Sequence, residues 1–122
     1  MSDTQRVFDF KTKPRGSLGV LEALDAAPAE SCVIVDCLSL WVSNLLERAE
    51  DVEDAARAAA VAAQRSGPTI AVTNEVGLGV VPATPLGRAY RDLLGHVNAI
   101  WAQAADESYF VVAGKALRLD DV

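Results

Sequence analysis

The chain contains 122 residues, of which 51% are hydrophobic and 23% are charged, and its formal net charge is -6. One domain with a packed core is expected from this length and composition. The negative charge argues against nonspecific binding to nucleic acid and against anionic membranes. No apolar stretch is long enough to span a bilayer, and residues 1–10 lack a secretory-signal pattern. We therefore expect a cytoplasmic protein with no nucleic-acid or membrane partner.

The first third of the chain changes from an irregular stretch to helix and strand patterns. Residues 1–16 show little periodicity, which predicts a loose lead-in before a single α/β domain over residues 17–122. Ser17 is a suitable N-cap for a helix over residues 17–24. Residues 32–35 form an apolar run that predicts a buried strand, and Asp36 closes it. Such a carboxylate can hold a metal ion beside a phosphate, but a single acid after an apolar run is also common without that role.

Two helices are predicted next. In residues 38–48 the apolar side chains recur at helical spacing and define a core face, so Trp41 is interpreted as a packing residue. Residues 50–64 are acidic at the start and rich in alanine, as the helix dipole and helix propensity favour, and we assign this helix no chemistry. The predicted core face of the first helix consists of Leu38, Trp41, Val42 and Leu45.

The most specific stretch of the chain runs over residues 69–98. Residues 69–73 predict a strand buried on both faces, and Asn74 and Glu75 follow its end. In open parallel sheets, ligands bind beyond the carboxyl ends of the strands, so these two polar residues are candidates for a site. Gly77 and Gly79 allow backbone geometries that a side chain would forbid, which indicates a loop of fixed shape.

A long amphipathic helix is predicted over residues 86–104. Arg88 and Arg91 lie near its start, within reach of an anion held by the glycine loop, although charged helix faces are more often only solvated. His96 and Asn98 are expected on the same polar side. The predicted apolar stripe consists of Leu86, Tyr90, Leu93, Leu94, Val97, Ile100, Trp101 and Ala104.

The last part of the chain predicts two further strands, over residues 108–112 and 115–119. The first of these is apolar and follows the long helix, so it is expected to join the other strands. Nearly apolar strands separated by helices are typical of a parallel sheet covered on both faces. The sequence therefore predicts an α/β fold.

Two segments carry a family resemblance. One reads TNEVGLGVVPATPLGRAYRDLLGHVNAIWAQAADESYFVVAG and the other reads VIVDCLSLWVSNLL. They resemble the C-terminal part of the bifunctional adenosylcobinamide kinase and adenosylcobinamide-phosphate guanylyltransferase of cobalamin biosynthesis. The family pattern is a T/S-N-E-V-G-x-G-x-V-P loop, an R-D-x-x-G-x-x-N helix and an A-D-E-x-x-x-V-V-x-G strand. Together the resembling segments extend over residues 32–119.

The resemblance implies a fold, a site and its ligands. The fold would be a partial P-loop-NTPase-like parallel sheet flanked by helices. The ligands would be Mg²⁺, GTP or ATP, and cobinamide, and the assembly would be a homo-oligomer, a trimer in the family. Asp36 would be the metal ligand. The residues implied for nucleotide binding are Asp36, Asn74, Glu75, Arg88 and Arg91.

The sequence lacks two parts of the family's chemistry. No run of the form G-x-x-x-x-G-K-S/T is present, although such a loop surrounds the phosphates in P-loop enzymes. The family also uses a histidine that becomes guanylylated, whereas His96 is the only histidine and belongs to the long helix. We interpret His96 as a surface residue and assign no catalytic residue to this chain.

Two hypotheses follow from these missing parts. In the first, the chain is a truncated or split member of the family, inactive alone, and a partner chain supplies the phosphate loop. In the second, it is a non-catalytic binding or regulatory scaffold that keeps the family fold. Both predict self-association, because a sheet without its first strand would expose the edge of a central strand.

Overall fold

The structure is a computed structural model that describes residues 5–9, 19–79 and 81–120. Within these residues helices connect the strands of a parallel sheet, which confirms the predicted α/β class. The N-cap predicted at Ser17 lies outside them. The helices are α1 (Val20–Ala26), α2 (Leu38–Glu47), α3 (Val52–Ala62) and α4 (Pro85–Ala104), with a 3-10 turn at Val76–Leu78. The strands are β1 (Gln5–Asp9), β2 (Cys32–Asp36), β3 (Thr69–Val72), β4 (Ser108–Val112) and β5 (Lys115–Leu119).

The main sheet is parallel and has the strand order β1-β2-β3. Asp36 at the end of β2 is in register with Asp9 of β1 and with Val72 of β3. The prediction of a loose lead-in is therefore wrong for residues 5–9, which pair with β2 and satisfy its backbone groups on that side. Strand β2 is the central strand of this sheet, and β3 lies at an edge. That residues 17–122 form one domain stays a prediction.

The core lies on one face of this sheet. Val33 and Val35 of β2 are buried there against helices α2, α3 and α4. Every residue of the predicted core face of α2 is buried, and so are Leu94, Val97 and Trp101 of the predicted α4 stripe, whereas Leu86 at the start of that stripe is 70% exposed. None of the described helices has the length and apolar content needed to cross a bilayer.

The second face of the sheet is more open than the sequence predicts. Ile70 and Val72 of β3 are 51% and 45% exposed, so the prediction of a strand buried on both faces is wrong. The reason is that alternate side chains of a strand point to opposite faces, and the core helices cover only the face of Val33 and Val35. Ile34, which is in register with Ile70, is half-buried on the open face.

The prediction that residues 108–112 join the parallel sheet is also wrong. Strand β4 pairs antiparallel with β5 in a separate two-stranded sheet. Ala113 and Gly114 connect them with φ values of 54° and 71°. Two successive residues with positive φ form the kind of tight turn whose twist matches antiparallel strands, and this local geometry folds β4 onto β5 instead of onto β3.

Candidate functional site at the ends of strands β2 and β3

The first part of the candidate site is the carboxyl end of β2. Asp36 is half-buried, and among the described residues its carboxylate has no hydrogen-bond or ion-pair partner. The described residues contain no group of three His, Cys, Asp or Glu side chains arranged for a metal ion. Mg²⁺ is commonly bound by one or two carboxylates together with water and substrate phosphates, and Asp36 offers one carboxylate of this kind.

The second part of the candidate site consists of the residues that follow β3. Thr73 Oγ donates a hydrogen bond of 2.6 Å to Asn98 Oδ1, and Asn98 Nδ2 donates at 3.0 Å to the carbonyl oxygen of Asn74 and at 3.0 Å to Glu75 Oε1. Three successive residues after the strand are thus tied to one side chain of α4. The prediction that Asn98 lies on the polar side of the helix is wrong, because it is buried among the core residues Leu94 and Trp101.

The sequence contained a signal for Asn98 that pattern reading missed. Residues three and four positions apart share one side of a helix. Asn98 follows Leu94 by four positions and precedes Trp101 by three, so it occupies the apolar stripe. A polar residue at such a position requires partners, and the ends of strands provide them.

Two further hydrogen bonds lead from the residues after β3 to the residue after β2. Asn74 Nδ2 donates to Ser39 Oγ at 3.0 Å, and Ser39 Oγ donates in turn to Cys37 Sγ at 3.4 Å. Cys37 directly follows Asp36, so the chain of contacts leads from Asn98 through Asn74 to the end of β2. The structure therefore brings Asp36, Asn74 and Glu75 together at the carboxyl ends of the strands.

Helix α4 is also tied to the start of α2. Tyr90 Oη donates a hydrogen bond of 3.1 Å to the backbone oxygen of Ser39. Burial, and to a smaller extent the neighbouring Cys37, raises the pKa of the Tyr90 phenol above its usual value of 10.0. At neutral pH this phenol keeps its proton and remains a hydrogen-bond donor.

The glycine-rich turn lies against the first half of α4. A Cβ added at Gly77 would lie 3.8 Å from Arg91 Cγ, so the turn approaches the aliphatic part of this arginine closely. Arg91 Nε donates to Asp92 Oδ1 at 3.0 Å. An open depression of about 520 Å³ lies here and is lined by Gly77, Arg91, Asp92, Gly95 and His96.

Arg88 is not brought into this arrangement. Helix α4 begins after Thr84, whose hydroxyl accepts a hydrogen bond of 3.0 Å from the backbone N–H of Gly87. Arg88 follows in the first turn and is exposed, and its guanidinium has no partner among the described residues. A binding role for Arg88 requires a ligand that reaches the first turn of α4.

A second depression lies between α3 and the middle of α4 and has a different character. It has a volume of about 390 Å³, and Glu50, Asp51, Glu53 and Asp54 are among its lining residues. This concentration of carboxylates opposes the binding of a phosphate group. His96 lies on the helix surface, as predicted, where its Nδ1 is 2.9 Å from Glu53 Oε1 and its side chain is 63% exposed.

Comparison with known proteins adds a family match. A family model described as "Cobinamide kinase / cobinamide phosphate guanyltransferase" matches residues 4–119. The chain is 34% identical over 120 residues to the bifunctional adenosylcobalamin biosynthesis protein CobU of Salmonella typhimurium, covering 84% of this chain and 65% of that protein. It is 39% identical over 97 residues to the corresponding CobP of Pseudomonas aeruginosa, covering 76% and 56%. It is 33% identical over 103 residues to CobU of Escherichia coli, covering 71% of this chain and 57% of that protein. The chain thus spans only 56% to 65% of the length of these relatives.

Proposed function

Because the chain belongs to the cobinamide kinase / cobinamide phosphate guanyltransferase family, we propose that it supplies part of the nucleotide site of such an enzyme in cobalamin biosynthesis. The family match confirms the resemblance found in the sequence. The kinase reaction transfers the terminal phosphoryl group of a nucleotide to a hydroxyl group of cobinamide. The guanylyltransferase reaction then joins GMP to the new phosphate. Both reactions require a site that holds a nucleotide, and GTP or ATP is the proposed ligand.

One observation carries this proposal: the polar side chains Asp36, Asn74 and Glu75 lie together at the carboxyl ends of neighbouring parallel strands. Asp36 ends β2, and Asn74 and Glu75 follow the neighbouring strand β3. Hydrogen bonds from Asn98 hold Asn74 and Glu75, and Asn74 is linked through Ser39 to Cys37, the residue after Asp36. Open parallel α/β sheets bind their ligands beyond the carboxyl ends of their strands. Arg91 beside the glycine turn supplies a positive charge for a phosphate group, and Arg88 is proposed to contact the part of the ligand nearer the helix start.

Asp36 is proposed to hold Mg²⁺ together with the nucleotide phosphates. Its carboxylate has no partner within the described part of the chain, and a carboxylate at the end of a strand is suited to a hard cation with oxygen ligands. The metal would neutralise charge on the phosphates. The protein's own contribution is to fix the position of this carboxylate, which the pairing of β2 with strands on both sides achieves.

The loop that surrounds the phosphates is proposed to come from a segment outside these 122 residues, because the sequence has no G-x-x-x-x-G-K-S/T run. Strand β3 supports this hypothesis, since it lies at an edge of the parallel sheet with Ile70 and Val72 exposed. A partner polypeptide carrying the phosphate loop on a strand would find unpaired backbone groups and apolar side chains there. Assembly of several copies is the alternative way to cover the same edge, and the family resemblance favours a trimer.

A non-catalytic scaffold is the less favoured hypothesis. The printed names of the three relatives describe bifunctional biosynthesis proteins, and the family description names two transferase activities. The hydrogen-bonded arrangement at the strand ends also includes the exposed side chains Asn74 and Glu75, which a scaffold would not need to orient toward solvent.

Titration calorimetry of the 122-residue protein with GTP tests the proposal, with and without Mg²⁺ and with ATP for comparison. Binding is expected to require Mg²⁺. The substitution Asp36→Asn should weaken the binding of Mg²⁺-GTP by about tenfold or more, since a contact to a charged group contributes about 1.5–3 kcal/mol. Asp106→Asn is the matched control, because Asp106 is exposed and has no partner among the described residues.

Sizing of the same samples shows whether each variant keeps the oligomeric state of the starting protein. Because the proposal assigns the nucleotide contacts at the strand ends to this chain, measurable binding is expected even without the phosphate loop, and a folded protein that binds neither nucleotide contradicts the proposal. The role of Asp36 is contradicted if GTP binds equally well with and without Mg²⁺. It is also contradicted if Asp36→Asn and Asp106→Asn lose the same affinity for Mg²⁺-GTP.

A further inference from the structure

Asn98 is a buried amide whose three hydrogen bonds all go to residues that follow β3. It lies in the second turn from the end of α4 and is 8% exposed. Its Oδ1 accepts from Thr73 Oγ, and its Nδ2 donates to both the Asn74 carbonyl and the Glu75 carboxylate. One side chain of a rigid helix therefore fixes the direction in which the chain leaves the sheet.

Only one orientation of the amide fits these partners. With Oδ1 and Nδ2 exchanged, an oxygen acceptor would face the Asn74 carbonyl and Glu75 Oε1, and both contacts would become repulsive. Thr73 can donate to Oδ1 because its hydroxyl carries a proton. The requirement is thus for a side chain with an acceptor and a two-proton donor side by side, which among residues of this size only asparagine supplies.

We propose that Asn98 is a positioning residue of the nucleotide site, which acts by holding Asn74 and Glu75 in the geometry that binds the ligand. This inference rests on the proposed function. Because Asn98 occupies Oε1 of Glu75, the carboxylate is fixed at one oxygen, and Oε2 is left to accept a hydrogen bond from the ligand. The same contact set aligns the Asn74 side chain, whose Nδ2 reaches Ser39 beside the end of β2. Asn98 itself is buried behind this layer and does not touch the ligand.

Asn98→Asp is the direct test, because it keeps the size and the acceptor but removes the donor. It also sets a second carboxylate against Glu75. We expect the dissociation constant of Mg²⁺-GTP to rise by about tenfold or more. Thr73→Val is the second variant; it removes the hydroxyl donor with little change of shape and adds no charge, and we expect a rise of about threefold. Gln103→Glu is the matched control on the exposed side of the same helix, and its affinity should remain within about twofold of that of the starting protein.

Amide hydrogen exchange of the ligand-free protein separates positioning from general stability. The amides of Leu78 and Gly79 donate to the Glu75 and Val76 carbonyl oxygens in the turn after β3. In Asn98→Asp these two amides should exchange at least about tenfold faster, while those of Leu94 and Val97 in the core keep their protection. Combining Asn98→Asp with Glu75→Gln offers a rescue, because the second substitution places an amide donor against the new carboxylate. Exchange at Leu78 and Gly79 in this double variant should return toward the starting rate.

The outcomes distinguish this inference from the proposed function. If the starting protein does not bind Mg²⁺-GTP, the proposed function fails, and with it the role of Asn98 in binding. If the starting protein binds Mg²⁺-GTP, and both Asn98→Asp and Thr73→Val bind it as tightly as the starting protein does, only the inference is overturned. Weaker binding with unchanged exchange at Leu78 and Gly79 also overturns it, since the loss of affinity would then not come from positioning.

Discussion

Replacing Gly67 by alanine adds a single methyl group at a point where two backbone segments touch. Gly67 lies in the link between α3 and β3 and is buried, and its N–H donates to the Ala29 carbonyl at 2.7 Å. A Cβ built on Gly67 would lie 2.8 Å from the Glu30 carbonyl carbon and closer still to the Ser31 carbonyl oxygen. Both neighbours are backbone atoms, so no side-chain rotation can relieve the contact.

The cost of this substitution follows from the distance that the segments must separate. Nonbonded contacts are comfortable near about 3.5 Å, so the links before β2 and β3 must move apart by roughly 1 Å. Overpacking of this kind costs about 1–3 kcal/mol. The movement also strains the contacts of Arg65 with the Ser31 and Pro28 carbonyl oxygens, and each lost hydrogen bond costs about 1 kcal/mol. We therefore expect Gly67→Ala to lower the free energy of unfolding by about 3–5 kcal/mol.

Urea unfolding of Gly67→Ala, followed by circular dichroism, measures this loss, and Gly95→Ala is the matched control. Gly95 lies on the exposed side of α4, where an added Cβ would have no heavy atom within 4 Å. Alanine is favoured over glycine in a helix by about 1 kcal/mol, so this variant should be more stable than the starting protein. Equal unfolding free energies for the two variants would refute the close approach at Gly67.

Two further predictions concern the packing of α4. Leu94→Ala should lower the free energy of unfolding by about 2–5 kcal/mol, measured by urea unfolding, because Leu94 is fully buried and the substitution leaves a cavity in the core. The stability of the folded protein should also fall in alkaline solution, because the pKa of Tyr90 is higher than 10.0 in the folded state. The folded state then holds the phenol proton more tightly, so the stabilisation is complete below pH 10.0 and is lost as the pH rises through the folded-state pKa. Tyr90→Phe should reduce this decline in the urea midpoint between about pH 9 and 11, and an unchanged decline would contradict it.

Helices were the elements that sequence periodicity predicted best. In α2 and α4 the apolar residues recur at threes and fours, and the core lies where those stripes meet, at Trp41, Val42, Leu94 and Val97. Helix periodicity is a local property, and this explains its success. It failed at Leu86, which has the spacing of the stripe but lies in the first turn of α4, beyond the edge of the packed core.

The candidate site was predicted in part, because strand ends can be located from sequence and contacts between elements cannot. Asp36, Asn74 and Glu75 were selected because each follows an apolar run. The residue that connects two of them, Asn98, lies more than twenty positions later in the chain. Its role depends on how α4 crosses the end of β3, which is a tertiary relation that no local pattern contains.

The failure at β4 has a local cause that the sequence does carry. Residues 108–112 have the apolar composition of a buried strand, and this composition favoured the parallel sheet. The deciding signal is the separation of only two residues, Ala113 and Gly114, between two short strand patterns. A connection of that length cannot form a parallel crossover, which needs about a dozen residues or more, so it requires an antiparallel pair.

The mismatch at β3 has a different meaning, because there the sequence pattern and the observed burial disagree without a local cause. Ile70, Ala71 and Val72 are all apolar, as in strands with cover on both faces, yet the structure covers only the face that Ala71 helps to form. An exposed apolar face next to an unpaired strand edge is a hazard for association in an isolated protein. Both features are resolved at once if a further strand and its helix pack beside β3. The proposed phosphate loop also needs a strand that joins this sheet, so one partner segment beside β3 would account for both the apolar surface and the phosphate loop.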